Sequence, residues 1–327
     1  MVTEGKHNHC RSGELYSKVV FSWGEYAVND ARELQQKFGI TNILRVTEKA
    51  PGYPVIEIDN LFARASIALH GAHVMQFQPK GEEAVLWLSR DAVFSEGKAI
   101  RGGIPICWPW FGGHPGGGLS AHGFVRNRFW NLESCEQLAN GFTRITITTS
   151  DDDSSHLLWD HHFRLRLSIE VGRDLSLALK MENPGPTSYM ITAALHSYFN
   201  VGDVSMVDIV GLEGVEYIDQ LSSDRRQIQN GPVSFDGELD RIYYPAGGEE
   251  LLQDGSLKRK IRLTATGSRS TIVWNPWIKK SDSMADFEKG GYRHMVCVET
   301  GNAADDIIEL APKCSHVLGV RISTERD

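Results

Sequence analysis

Two side chains in this sequence can donate and accept protons at the ends of apolar, strand-like runs. His196 follows the run Met190–Leu195, and an imidazole with a reference pKa of about 6.5 can act as acid or base near neutral pH. Glu299 follows the run Met295–Val298. Because a buried carboxylate is costly unless it is paired or used, we predict that Glu299 is a functional group at a sheet edge or cleft. For His196, a buried structural role is the alternative.

Two arginines lie in segments that are not regular helices or central strands. Arg101 belongs to the run Ile100–Gly113, in which two prolines and two tryptophans stand among glycines and predict an ordered loop. Since glycines let a ligand approach the backbone closely, a binding role is favoured over a loop that only covers the core. Arg126 ends the segment Ala121–Arg126, which also contains His122. If the two arginines converge, their planar donors suit a phosphate.

Aromatic and acidic residues elsewhere could complete a sugar-binding surface. Trp274 lies in a Trp-Asn-Pro-Trp segment, and Trp108 lies in the glycine-rich loop. The flat face of an indole can pack against the C–H face of a sugar, although core packing is the alternative for both residues. Asp240 could accept hydrogen bonds from sugar hydroxyls, or it could lie in a surface turn.

The sequence contains no common cofactor or metal motif. There is no P-loop, no dinucleotide-binding glycine fingerprint, no His-Glu-x-x-His and no Gly-x-Ser-x-Gly segment. The adjacent His161 and His162 would point to opposite faces of a strand, so they are not expected to bind one ion. Five scattered cysteines show no metal spacing. We therefore predict that no metal and no cofactor are required.

The elements that must position these groups are mostly strands. Apolar residues alternate along Phe163–Val171 and again along Leu175–Met181, on either side of Gly-Arg-Asp, which predicts a β-hairpin with one buried face. Many short strands separated by Gly, Pro and Asp indicate a large antiparallel sandwich, and the βαβ rhythm of a doubly wound fold is missing. The other predicted strands are Ala63–Leu69, Ala72–Phe77, Ala84–Leu88, Arg144–Thr149, Met190–Leu195, Lys260–Ala265, Thr271–Trp274, Met295–Val298 and Val317–Ile322.

Residues 1–50 have a different pattern. Apolar residues at helical spacing lie on both sides of Asn29 and Asp30 and precede Gly39, which predicts one short helix. These residues are Val28, Ala31, Leu34 and Phe38. We predict an N-terminal extension over 1–50 and a single β-sandwich domain over 51–327.

The overall composition excludes several classes of protein. The 327 residues are 41% hydrophobic and 23% charged, which is typical of a globular chain rather than a disordered or fibrous one. A net charge of −8 argues against a nucleic-acid partner. No apolar run approaches a membrane span or a signal-peptide core. The odd number of cysteines favours a reduced, cytoplasmic compartment, and we expect a monomer.

Five ordered motifs resemble one family of sugar-converting enzymes, the D-hexose-6-phosphate mutarotases (glucose-6-phosphate 1-epimerases). These belong to the wider aldose 1-epimerase, or galactose mutarotase-like, superfamily, which includes the similar apospory-associated protein C-like proteins. The resemblance covers roughly residues 55–325. The motifs are Arg101–Gly112, Ala121–Arg126, Leu195–Asp203, Trp274–Trp277 with Met284–Phe287, and Val296–Glu299.

The resemblance implies an all-β fold, a β-supersandwich of antiparallel sheets, preceded here by the short helical extension. It also implies cofactor-free interconversion of the α and β anomers of a hexose 6-phosphate, with glucose 6-phosphate as the first expectation. By motif match, His196 resembles the catalytic acid and Glu299 the catalytic base. The residues expected to bind the phosphate or the sugar are Arg101, Arg126, His122 and Asp240.

Three alternatives fit parts of the pattern. A non-catalytic carbohydrate-binding or regulatory β-sandwich would keep the cleft without needing both His196 and Glu299. A mutarotase for unphosphorylated aldoses would have no dianion to pair with Arg101 and Arg126. A metal-dependent isomerase with a cupin-like barrel is the third alternative.

Overall fold

The computed structural model of the protein describes residues 30–222 and 225–326, with only the backbone of residue 225. Val28, one of the predicted helix residues, lies outside the described residues. The helices are α1 (Ala31–Phe38), α2 (Asp153–His156) and α3 (Trp277–Asp282), and short 3₁₀ turns cover Val125–Asn127, Val204–Met206 and Gly291–His294. None of the helices in the described ranges is long and apolar enough to cross a membrane.

Strands make up most of the regular structure. The first twelve are β1 (Leu44–Glu48), β2 (Pro54–Asp59), β3 (Ala63–Ala68), β4 (His73–Pro79), β5 (Ile106–Cys107), β6 (Asn131–Gln137), β7 (Thr143–Ser150), β8 (Arg164–Val171), β9 (Leu175–Glu182), β10 (Tyr189–Ile191), β11 (Ala193–Leu195) and β12 (Tyr198–Asn200). The others are β13 (Val207–Val210), β14 (Glu216–Asp219), β15 (Arg225–Ile228), β16 (Val233–Ser234), β17 (Leu239–Tyr243), β18 (Glu249–Asp254), β19 (Arg259–Thr266), β20 (Ser270–Asn275), β21 (Met295–Asn302), β22 (Ile308–Leu310) and β23 (Ser315–Arg326).

Antiparallel pairing joins these strands into two large and two small sheets. The nine-stranded sheet has the order β16-β13-β18-β19-β23-β9-β8-β7-β6. The eight-stranded sheet has the order β15-β14-β17-β20-β21-β11-β5, with β12 also paired to β21. Strands β1 to β4 form a third sheet in chain order, and β10 pairs with β22. This antiparallel β architecture confirms the predicted fold class.

The predicted hairpin is confirmed, and its alternation explains how the core forms. In β8 the apolar residues Leu165, Leu167 and Ile169 are fully buried, while Arg164 and Arg166 between them are exposed. Strand β9 repeats the pattern opposite β8. Because side chains alternate between the two faces of a strand, the period-two pattern directs one face of the hairpin into the core.

Two of the predicted strands differ from the structure. Ala84–Leu88 forms no strand and makes only isolated bridges, Leu86 with Phe199 and Leu88 with Gly102. Met190–Leu195 is divided into β10 and β11 at Thr192, whose hydroxyl accepts a hydrogen bond of 2.8 Å from the Phe111 N–H. In both segments, contacts with the Ile100–Gly113 loop region replace continuous strand pairing.

The short N-terminal helix is present, but the first sheet begins before residue 51. The Asp30 carboxylate accepts the N–H groups of Arg32 at 2.7 Å and Glu33 at 3.4 Å, which caps the start of α1. Strand β1 then pairs along its whole length with β2. The Gln35 side chain of α1 accepts the Val46 N–H at 2.6 Å. The helix and β1, within the predicted extension 1–50, therefore pack onto the sheet that continues into the main domain.

Candidate active site

One face of the eight-stranded sheet presents two cross-strand rows of side chains to a cavity of about 360 Å³. In the first row, Asp240 of β17 is opposite Trp274 of β20, and Trp274 is opposite Cys297 of β21. In the second row, two residues along, Ile272 is opposite Glu299. Since residues two apart on a strand share a face, both rows lie on the same face of the sheet. Asp240, Trp274, Ile272 and Glu299 line the cavity, and Cys297 is fully buried beside them.

A break in strand pairing places His196 beside Glu299. Strand β11 ends one residue before His196, strand β12 begins two residues after it, and both pair with β21. In the break, the Ser197 carbonyl accepts the Val298 N–H at 3.3 Å, and the His196 N–H donates to the Pro105 carbonyl at 3.0 Å. The register of β21 thus brings together two residues that lie about a hundred positions apart in the sequence.

The imidazole and the carboxyl group form a buried pair. His196 Nε2 lies 3.4 Å from Glu299 Oε1, and the two side chains are 8% and 1% exposed. His196 Nδ1 and Glu299 Oε2 are buried and have no hydrogen-bond partner among the described residues. The His196 ring stacks on Tyr198 at 4.7 Å with an interplanar angle of 7°, which holds the ring in place. A reacting molecule in this cavity would meet two groups able to exchange protons.

Burial sets the charge of this pair. It raises the pKa of Glu299 well above its ordinary value; Asp240 adds to this increase and Arg126 opposes it. Burial also lowers the pKa of His196 well below its ordinary value, with further lowering by His122 and Arg126. Both changes favour the uncharged forms, because a low-dielectric site penalises isolated charge. In these forms the carboxyl group has a proton to give and the imidazole has a nitrogen that can accept it.

Strand β21 continues past Glu299, contrary to the sequence prediction. Glu299 was expected at the end of an apolar strand, but every residue of β21 from Met295 to Asn302 is buried and paired. The carboxyl group is therefore held by a central strand of the sheet rather than by a flexible edge. A rigid position suits a group that must meet a reacting atom within hydrogen-bond distance.

Arg101 reaches the same cavity from the glycine-rich loop. Its Nη1 donates to the Tyr198 hydroxyl at 3.1 Å, and its Nε and Nη2 both lie 3.3 Å from the Asp286 carboxylate. The negative charge of Asp286 thus partly neutralises the positive charge of Arg101 before any ligand binds. Through Tyr198 it also supports the ring on which His196 stacks.

Arg126 and His122 line the cavity on the side opposite the sheet. One amino group of Arg126 donates to the Ala121 carbonyl at 2.9 Å, and its buried Nε has no hydrogen-bond partner within the described ranges. His122 has a left-handed backbone with φ of 64°. Its Nδ1 accepts the Gly112 N–H at 3.3 Å, which leaves the ring proton on Nε2. Burial lowers the pKa of His122 to about 3, so the ring is neutral.

The glycines after Arg101 serve the packing of the protein itself, so the prediction that they admit a ligand was wrong. Gly102 and Gly103 have φ of 107° and 63°. A Cβ at Gly102 would lie 2.5 Å from the Trp87 carbonyl oxygen, and one at Gly103 would lie 2.3 Å from the Val74 carbonyl oxygen. These glycines let the loop approach neighbouring backbone closely.

Of the two tryptophans expected to form an aromatic wall, the structure brings only one to the cavity. Trp274 lines it, with its ring centroid 6.2 Å from that of His196 at an angle of 84°. Trp108 is fully buried in the core, with its ring 4.6 Å from Phe163 and 5.0 Å from Trp159. A large apolar ring that packs against other rings gains more from burial than from lining a polar cavity, so Trp108 takes the core position.

Sequence reasoning missed three polar residues that line the cavity, Tyr198, Gln220 and Lys280. Tyr198 lies within the predicted motif, and its position two residues after His196 was the available signal. Lys280 of α3 also lines the cavity, with its Nζ 4.0 Å from Glu238. No motif indicated Lys280, because α3 is short and only its packing beside β17 and β20 directs the lysine inward.

One set of buried groups has the spacing of metal ligands. Ligand atoms of His196, Cys297 and Glu299 all lie within 4.8 Å of one another. Burial raises the pKa of the Cys297 thiol well above its ordinary value, and Glu299 adds to this increase. A protonated thiol is a poor ligand, since metal ions bind the thiolate. Without a metal ion, this donor set is an acid–base pair beside a neutral thiol.

We expect Asp240→Asn to stabilise the protein more at pH 7 than at pH 4. Burial raises the pKa of Asp240 from 3.8 to about 6. A raised folded-state pKa contributes stability below pH 4 that is lost as pH rises through about 6, because the folded state must give up a proton that it binds tightly. Thermal unfolding of both variants across this range measures the difference. Asp236→Asn, at an exposed position on the same connection, is the control, and an equal shift at both pH values would contradict the assignment.

Comparisons with known proteins show which family the chain resembles. The family model described as aldose 1-epimerase matches residues 54–323. A protein of Escherichia coli K12 named "putative glucose-6-phosphate 1-epimerase" is 37% identical over 252 residues, covering 77% of this chain and 84% of its own length. A protein of the same name from Cenchrus ciliaris is also 37% identical, covering 76% and 77% of the two chains.

Solved structures share the fold. A crystal structure of a "putative mutarotase" from Salmonella typhimurium has a TM-score of 0.83 and 32% identity, covering 89% of this chain and 96% of that one. A galactose mutarotase related enzyme from Lactobacillus acidophilus, at 15% identity, has a TM-score of 0.66 and covers 83% and 97% of the two chains. The fold is galactose mutarotase-like. On the family match and the shared fold, the chain belongs to the aldose 1-epimerase family.

Proposed function

We propose that the protein interconverts the α and β anomers of a hexose 6-phosphate, with glucose 6-phosphate as the first substrate to test. The observation that carries this proposal is the buried contact between His196 Nε2 and Glu299 Oε1 at 3.4 Å, in a cavity that both residues line. A binding module for sugars needs hydroxyl acceptors and an aromatic face, but it does not need a buried pair that shares one proton.

The pair can open and close a hemiacetal ring without another reactant. Transfer of the shared proton from Glu299 to His196 produces a carboxylate and an imidazolium. The carboxylate then takes the proton of the C1 hydroxyl while the imidazolium gives a proton to the ring oxygen, and the C1–ring oxygen bond breaks. After rotation about C1–C2, the same groups act in reverse and close the ring on the other face of the aldehyde. Positioned acid–base groups of this kind contribute ~10²–10⁴-fold to rate.

The cationic residues support a phosphorylated substrate. Arg101, Arg126 and Lys280 line the cavity. Among the described residues, Arg126 makes no ion pair with a carboxylate, and its buried Nε has no hydrogen-bond partner. A planar guanidinium with unused donors is well suited to a phosphate dianion. The relatives named as glucose-6-phosphate 1-epimerases point to the same substrate class.

The direct test is magnetisation-exchange NMR on the anomers of glucose 6-phosphate, mannose 6-phosphate and free glucose, with a chelator present. We expect the wild-type protein to accelerate exchange of at least one phosphorylated hexose and to act much more weakly on free glucose. Acceleration of free glucose alone would favour a mutarotase for unphosphorylated aldoses. Binding of the sugars without any acceleration would indicate a carbohydrate-binding module and would overturn the proposal.

We expect Arg126→Ala to reduce kcat/KM for glucose 6-phosphate by roughly 10–100-fold, since a hydrogen bond to a charged group is worth about 1.5–3 kcal/mol. The reduction on free glucose should be much smaller, because a neutral sugar has no dianion to pair with the guanidinium. The measurement is the exchange rate against substrate concentration for both sugars. Arg128→Ala, two residues along and paired with Asp152 outside the cavity, is the matched control. Equal losses on both sugars would contradict the phosphate role of Arg126.

A further inference from the structure

A second cluster of titratable side chains lies in the loop between β7 and β8. It consists of Asp151, His156 and His162, whose ligand atoms all lie within 4.8 Å of one another. Asp151 Oδ2 is 3.1 Å from His156 Nε2 and 2.8 Å from His162 Nδ1. None of the three residues lines the cavity that holds His196 and Glu299. The function proposed above therefore does not explain this cluster.

Backbone hydrogen bonds of the loop hold these three side chains close together. Asp151 follows β7 directly, and its N–H donates to the Phe163 carbonyl at 3.1 Å. The Phe163 N–H donates to Asp151 Oδ1 at 3.0 Å, which leaves Oδ2 directed at the two histidines. His156 is the last residue of α2, a single turn capped by Asp152. The backbone thus positions one carboxylate oxygen and two imidazole nitrogens around a common point.

The spacing and chemistry fit a divalent transition-metal ion. Zinc bonds of about 2.0–2.2 Å in a tetrahedral arrangement separate neighbouring ligand atoms by about 3.3 Å, so the measured distances need to increase by only a few tenths of an ångström. Asp160 Oδ1 lies 3.0 Å from His156 Nδ1, on the ring edge away from Asp151. A carboxylate in that position orients a metal-binding histidine and increases its basicity. Imidazole donors favour zinc-like ions over calcium or magnesium.

The cluster also adjoins a cavity that can hold a further metal ligand, and its negative charge suits a divalent cation. A cavity of about 150 Å³ adjoins it, and the residues that line this cavity include His156, Asp160, His161, His162 and Tyr189. Two carboxylates, Asp151 and Asp160, balance a divalent cation. We propose that Asp151, His156 and His162 form a binding site for a zinc-class divalent ion that ties the end of β7 to the start of β8.

The adjacent His161 provides a matched control. The sequence prediction placed His161 and His162 on a strand, but both lie in the loop that precedes β8. The His161 ring packs on Trp159 at 4.5 Å and on Tyr189 at 5.0 Å. Only His162 of the two is in the cluster. Replacement of either residue by alanine removes one imidazole from the same surface. Only His162→Ala removes a proposed metal ligand.

The test uses the full chain after removal of metal by a chelator. Calorimetric titration with Zn²⁺ and optical titration with Co²⁺ should show one site, with the visible bands of four-coordinate cobalt and no thiolate charge-transfer band. We expect His162→Ala to weaken binding by about 100-fold or more and Asp160→Asn to weaken it by about 10–100-fold, with His161→Ala unchanged. Zinc at about 100 times its Kd should raise the Tm of the wild type by about 5 °C and leave the Tm of His162→Ala nearly unchanged.

Three results would overturn the proposal. The first is wild-type affinity no tighter than about 1 mM, which corresponds to a weak surface contact. The second is equal binding by His162→Ala and His161→Ala. The third is a thiolate band, which would place the ion at a cysteine outside this cluster. These readouts are independent of anomer exchange, so they test the metal site whether or not the proposed function is correct.

Discussion

Glu299→Gln is expected to reduce enzymatic anomer exchange by ~10²–10⁴-fold, the usual contribution of a positioned acid–base group. The amide has nearly the shape of the carboxyl group but cannot take the C1 hydroxyl proton. Asp240 also lines this cavity, but within the described ranges the carboxyl group that contacts the imidazole of His196, at 3.4 Å, is that of Glu299. The measurement is the exchange rate of glucose 6-phosphate above the spontaneous rate, at saturating sugar.

The same substitution should make the protein more stable above neutral pH. Burial raises the pKa of Glu299, so its contribution to stability is largest at low pH and is lost as pH rises through the folded-state pKa. Glutamine has no charge to bury, and the gain in Tm should therefore be larger at pH 8 than at pH 5. Loss of activity with a gain in stability would separate a catalytic role from a structural one.

Glu250→Gln is the matched control for Glu299→Gln. Glu250 is 2% exposed and accepts a hydrogen bond from Thr271 at 2.7 Å, but it lies outside the cavity. We expect this variant to keep wild-type exchange. Wild-type exchange by Glu299→Gln would exclude Glu299 as the base, and equal losses in the two variants would indicate a general effect of replacing buried carboxyl groups.

His196→Ala is expected to lose exchange by a similar factor, ~10²–10⁴-fold. Without the imidazole, no group beside Glu299 can give a proton to the ring oxygen. The substitution also leaves a ring-sized space next to Tyr198, on which the imidazole stacks at 4.7 Å. Free imidazole in the buffer should therefore restore part of the activity, and exchange should increase with imidazole concentration.

Chemical rescue separates a chemical role of His196 from a packing role. His316→Ala is the control, because that half-buried histidine hydrogen-bonds the Gly267 carbonyl and Asn302 away from the cavity. This control should keep full activity and show no response to imidazole. A His196→Ala protein that is folded and fully active would contradict the assignment of the acid, and an inactive protein that imidazole does not rescue would favour a structural role.

The sequence by itself determined the class of fold and the residue types of the site. Alternating apolar residues in Phe163–Val171 and Leu175–Met181 predicted the hairpin, because the side-chain period of a strand is a local property of the backbone. His196, Glu299, Arg101, Arg126 and others were singled out on their residue types and neighbouring motifs. These predictions needed no knowledge of which strands pair.

Only the tertiary structure decided which of these groups meet. The break between β11 and β12 sets His196 against β21, and this contact depends on pairing between distant parts of the chain. Trp108 and Trp274 both looked suitable for an aromatic wall, yet packing places Trp108 in the core and Trp274 in the cavity. Lys280 had no sequence signal, and the adjacent His161 and His162 did not indicate that Asp151 and His156 lie beside His162. Convergence of side chains is set by sheet register and loop closure rather than by local pattern.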